Sequence, residues 1–101
     1  MSLVHNVFFV LNDDSTTAQD QLVASCHKYL RDHPGVTFFA AGKRTSDLCR
    51  PVNDQEFHVG LHVIFDTREA HDVYQTAPDH LQFIEENKAT WKSVRVCDTD
   101  A

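Results

Sequence analysis

Residues 57–65 read FHVGLHVIF, and the spacing of the apolar side chains in this stretch decides the fold. Phe57, Val59, Leu61, Val63 and Phe65 share one parity, while His58, Gly60, His62 and Ile64 share the other. A period of two is that of a β-strand with one face buried against a core. His58 and His62 also stand at i, i+4, the spacing of a metal pair on a helix. On a strand, four residues span about 13 Å, too far for one ion. The pair is therefore read as part of a sheet face, and no metal is expected from it.

Working outward, Asp66 and Glu69 have capping-box spacing and predict a short helix through Ala70, Val73 and Tyr74. Pro78 breaks that helix and opens another, since proline in a first turn loses no hydrogen bond. Leu81 and Ile84 are expected to supply the inward side of this next helix, with Phe83 alongside. Residues 91–97, WKSVRVC, predict a last strand. On the upstream side, Lys43 to Gln55 is polar, contains Pro51, and predicts a loop long enough to suggest a functional role. Before it, VTFFAA (36–41) reads as a strand. Ala18, Leu22, Cys26 and Leu30 recur every fourth residue and predict a helix, begun by one of the capping residues in DDST and stopped by Pro34 and Gly35. LVHNVFFVL (3–11) reads as the first strand.

The order β-α-β-β-α-β, with its second helical region split at Pro78, suits an α+β, ferredoxin-like split βαβ fold. In that fold a four-stranded antiparallel sheet carries helices on one side. Its other side would present Val4, Phe8, Val10 and Ile64. An apolar strip of that kind predicts an interface, and a homodimer through the face bearing Asn6, Phe8, His62 and Ile64 is the simplest arrangement.

Composition limits the remaining classes. With 101 residues, 42% hydrophobic and 24% charged, the chain is read as a single soluble globular domain over residues 3–98. The formal net charge of −6, with the basic group Lys43, Arg44 and Arg50 read as solvated in a loop, argues against a nucleic-acid partner. No apolar run approaches membrane-spanning length, and the opening residues carry no signal-peptide pattern. Cys26, Cys49 and Cys97 show no CxxC spacing, which predicts free thiols and a cytoplasmic setting. Phosphate-loop, dinucleotide and nucleophile-elbow patterns are absent, so no organic cofactor is expected. His27, His33 and His71 read as solvated.

The C-terminal third, VYQTAPDHLQFIEENKATWKSVRVCD, together with His5, HPGV (33–36) and GLHVIFD (60–66), resembles the stress-responsive A/B barrel (Dabb) family of the dimeric α+β barrel superfamily. The resemblance spans nearly the whole chain, apart from the loop at 43–55. It implies a homodimer in which two sheets form a barrel with helices outside. One relative is a plant polyketide cyclase that uses a tyrosine and a histidine in a pocket between sheet and helices. The resemblance places Tyr74 and His80 on that pair and His5 on another pocket histidine, and Val59 stands where that relative has a further one. Val59, Ala77 and Asp79 depart from the pattern.

His80, third in a helix opened by Pro78, lies near unpaired amides and the positive end of the helix dipole, which favour the neutral imidazole. Tyr74 can donate its hydroxyl to a developing oxyanion. The function expected first is binding of a small organic ligand at His5, Val59, Tyr74 and His80, with no assigned reaction. The alternatives are a cyclase or lyase with Tyr74 and His80 as acid–base pair, and a cofactor-independent monooxygenase.

Overall fold

The computed structural model describes residues 1–101. In chain order it contains β1 (Leu3–Leu11), α1 (Thr16–Leu30), β2 (Val36–Lys43), β3 (Val59–Phe65), α2 (Arg68–Thr76), α3 (Pro78–Asn87), a short 3-10 turn (Lys88–Thr90) and β4 (Trp91–Asp100). The strands form one four-stranded sheet in the order β2-β3-β1-β4, and every neighbouring pair is antiparallel. The molecule is only 17 Å through its thinnest dimension, the depth of one sheet and one layer of helices.

Local chemistry explains the boundaries. Ser15 caps α1 by accepting the Ala18 N–H at 3.1 Å. After α1 the chain turns at Gly35, whose φ is +86°. A β-carbon there would lie 2.5 Å from Ala70 Cβ and 2.8 Å from Asp66 Oδ1, so only glycine lets this turn pack beneath the start of α2. Pro78 occupies the first turn of α3, as the sequence predicts.

β1 alternates without interruption, with Leu3, His5, Val7, Phe9 and Leu11 buried. They meet Leu61, Val63 and Phe65 of β3, the Leu22–Cys26–Leu30 stripe of α1, Tyr74 and Phe83. Burial of each large apolar side chain in this layer contributes about 1.5–3 kcal/mol. The helices pack over β2 and β3 and on one another, while β4 is left largely exposed beyond Trp91, which packs on Phe83. Val94 and Val96 point to the helix side and are nevertheless 38% and 52% exposed.

Four readings of the sequence require correction. β3 begins at Val59, and Phe57 lies on the opposite side of the sheet, its ring centroid 5.1 Å from that of Phe8. The parity changes because the loop swings Phe57 across the sheet, while His58 is fixed by accepting the Leu11 N–H on Nδ1 at 3.0 Å. Thr67, not Asp66, caps α2, with its hydroxyl accepting the Ala70 N–H at 3.1 Å. Phe83 is the buried anchor of α3, while Leu81 is 52% exposed, because the proline resets the helical phase. Arg44 is half-buried, and Lys43 pairs with Asp20 at 2.8 Å, so the basic group is not simply solvated.

Candidate functional site

The overhang of β4 leaves a cavity of about 170 Å³ between the sheet and the helices. His5, Val7 and Phe9 of β1, Leu61 of β3 and Trp91, Val94 and Val96 of β4 form its floor and outer wall. Leu30, Tyr74, Gln75, His80, Phe83 and Ile84 close it from the helix side. The lining is largely apolar, with polar atoms concentrated at one corner.

The break at Pro78 builds that corner. α2 delivers Tyr74 from its last turn, α3 delivers His80 from its first, and the two rings stand 4.6 Å apart. Tyr74 is 1% exposed and its hydroxyl has no hydrogen-bond partner. Nor do His80 Nδ1 and Trp91 Nε1. A buried polar group without a partner costs about 1–3 kcal/mol, so the adjacent pair Tyr74 and His80 is notable, while Trp91 lies toward the Phe9 end of the cavity.

Burial pushes the Tyr74 hydroxyl well above the ordinary phenol range, with a smaller contribution from nearby Cys26. Tyr74 is therefore a hydrogen-bond donor at neutral pH. His80 is held below 6.5, chiefly by burial; its hydrogen bond to the Gln75 backbone carbonyl opposes this, and His5, His33 and His71 add to it. The direction is the one read from the sequence, but its leading cause is desolvation and not the helix terminus.

The sequence-predicted residues divide unequally. His5, Tyr74 and His80 all line the cavity. Val59 does not: it is 0% exposed within the core, paired across the sheet with Phe9 and Lys43. The sequence reads His33 and His71 as solvated, but both are half-buried and pack around the site. His33 stands edge-on to Tyr74 at 5.0 Å, and His71 edge-on to His5 at 5.1 Å. His71 lies one helical turn before Tyr74, and that i, i+3 spacing is the signal that could have found it. Asp98, which holds His5 Nδ1 at 2.6 Å, reaches the site only through the pairing of β1 with β4.

The other side of the sheet is a different surface. Asn6 and His62 are joined at 2.7 Å, Phe8 packs between Phe57 and His62, and Phe38 is 52% exposed. Burial holds His62 below its ordinary value. The loop between β2 and β3 extends over this side to β4, where Arg95 grips Asp54 at 2.7 Å and the Glu56 carbonyl at 3.1 Å.

Fold and cavity together define a ferredoxin-like α+β domain with a histidine-rimmed space beneath its helices. The chain belongs to the stress responsive A/B barrel domain (Dabb) family, whose model matches residues 3–101. A Dabb family protein with a ferredoxin-like fold from Mesorhizobium loti is similar at 22% identity and a TM-score of 0.81, over 99% of this chain and 96% of the other. A dimeric ferredoxin-like protein of unknown function from Thermobifida fusca is 18% identical with a TM-score of 0.81, over 100% and 92%. A hydroxynitrile lyase from Passiflora edulis is 20% identical with a TM-score of 0.76, over 97% and 91%. No curated protein sequence matches significantly. No helix is long and apolar enough to cross a membrane.

Proposed function

We propose that this protein is a homodimeric binding domain that takes a small organic ligand, one aromatic ring in size and carrying a carbonyl or hydroxyl group. The observation that carries this reading is the pair of unpartnered polar atoms, Tyr74 Oη and His80 Nδ1, in two neighbouring residues that line a largely apolar cavity. An apolar body with one polar end would fill the space and satisfy the tyrosine donor. The cavity, about 170 Å³, is close to the roughly 150 Å³ that accommodates benzene in an engineered core. The open sheet face bearing Asn6, Phe8, His62 and Ile64 would form the dimer contact, in keeping with the dimeric relative from Thermobifida fusca. A cytoplasmic setting is part of the same reading, because all three cysteines are free thiols.

A thermal-shift screen with benzaldehyde, benzoate and phenol tests ligand binding. At least one should raise the melting temperature, and Tyr74→Phe should weaken its binding by about fivefold, the scale of one hydrogen bond. No shift with any single-ring compound, or equal affinity in Tyr74→Phe, would overturn the reading.

A second reading is favoured by the contact between a protonated phenol and an imidazole held toward its neutral form. In it, His80 accepts a proton from a carbonyl compound while Tyr74 donates to the developing oxyanion. The lyase among the relatives makes this a reaction class to assay. Turnover should then fall roughly a hundredfold in His80→Ala, and unchanged turnover in both His80→Ala and Tyr74→Phe would exclude it.

A further inference from the structure

At the end of the cavity nearest α2, His5, His71 and Asp98 present donor atoms that all lie within 4.8 Å of one another. We propose that these three side chains form a binding site for a divalent transition-metal ion of the zinc type. Each ligand comes from a different element: β1, α2 and β4 respectively. His5 and Asp98 are direct cross-strand partners, a register that fixes their separation, and His71 stands over them on the helix.

The protonation pattern suits a metal. His71 Nδ1 donates to Asp72 Oδ1 at 3.0 Å, and Asp72 is itself held by Arg68 Nε at 2.9 Å. A carboxylate behind one ring nitrogen fixes the tautomer and leaves the other nitrogen with its lone pair free, the usual support for a metal-binding histidine. That nitrogen, Nε2, now meets only the Gln75 amide at a long 3.3 Å. His5 Nδ1 lies 2.6 Å from Asp98 Oδ1, and a cation between them would take the place of the Nδ1 proton, which the neutral ring then carries on Nε2. Small side-chain rotations would bring the three donors to bonds of about 2.0–2.2 Å.

Two imidazoles and one carboxylate select a borderline ion such as Zn²⁺ over Mg²⁺ or Ca²⁺, which prefer oxygen ligands. Three protein ligands also leave a coordination position for water or for an anionic group. His5 belongs to the cavity lining as well, so the metal would sit at its rim.

Calorimetric titration of chelator-treated protein with ZnCl₂ tests the site directly. The expected result is one Zn²⁺ per chain with a Kd at or below about 10 µM, weakened at least tenfold in both His71→Ala and Asp98→Asn. Asp98 is a partly exposed edge-strand residue, so its isosteric replacement preserves the fold. His27→Ala, at an exposed histidine of α1 that packs on Phe39 away from these three residues, should bind as the wild type does. Absence of saturable binding below about 100 µM, or binding that Asp98→Asn and His71→Ala leave unchanged, would overturn the proposal. Neither result depends on whether an organic ligand binds.

Discussion

On the helix side of β1, Leu3, Val7, Phe9 and Leu11 are at most 6% exposed, whereas Val4, Asn6, Phe8 and Val10 on the other side of the same strand are only half-buried. The two sides differ in how their polar groups are treated. Beneath the helices, Tyr74, His80 and Trp91 line the cavity with polar atoms that have no partner. On the open side, Asn6 and His62 satisfy one another amid an apolar strip. One face is filled by the chain itself except at a single corner. The other has its polar pair already joined and is partly crossed by the loop before β3, which reaches Arg95 and leaves open hollows beside Phe8.

The largest expected effect comes from breaking the filled face. Phe65→Ala removes a fully buried ring and should cost about 3–5 kcal/mol in urea denaturation, while Phe38→Ala on the open side should stay within about 0.5 kcal/mol for the monomer. Equal costs would erase the distinction between the faces. Next in size, Phe8→Glu places a charge at the centre of the open strip. If that strip joins two copies, sedimentation equilibrium should show association weakened by roughly thirtyfold or more, the scale of a 2 kcal/mol contact. A monomer in the unmodified protein would remove the interface altogether.

The smallest effect is a pH dependence contributed by one histidine on each face. His62 and His80 are both held below 6.5 in the folded chain, chiefly by burial. As pH falls below 6.5 the unfolded chain takes up these protons first, so stability declines from the ordinary histidine value down to the folded one, and is full above it. Chemical denaturation between pH 7.5 and 5 should show this slope, reduced in His62→Gln and separately in His80→Gln. If neither substitution changes the slope, the depressed values are not sensed by folding. An interface over His62 should also loosen in the same acidic window.

Much of the architecture was legible because it rests on local patterns. Alternation at 3–11 and 59–65, the stripe from Ala18 to Leu30 and the proline at 78 each carry their meaning within a few residues. Errors arose where two neighbours offered the same chemistry, as Asp66 and Thr67 do for a helix cap. They also arose where phase is lost, as at Leu81 after the proline and at Phe57 after the long loop. At the candidate site, the resemblance brought forward His5, Tyr74 and His80, which the cavity does bring together. Asp98 could not be found in this way, because it lies 93 residues from His5 and meets it only through strand register. His33 and His71 were missed because a histidine among polar neighbours looks solvated until the opposing layer is known.

The position of β1 has a consequence for the order of events during synthesis. This strand lies between β3 and β4, and Leu3 stands opposite Asp100, so one of its two edges is completed by the last strand to be made. Contacts so distant along the chain are the slow ones to form, since the intervening segment must first be drawn together. Until β4 emerges, a nascent chain holds an apolar strand with one row of peptide groups unpaired, an edge open to pairing with another chain. The strand that supplies Trp91 to the cavity and Asp98 to His5 thus also closes the last open edge of β1.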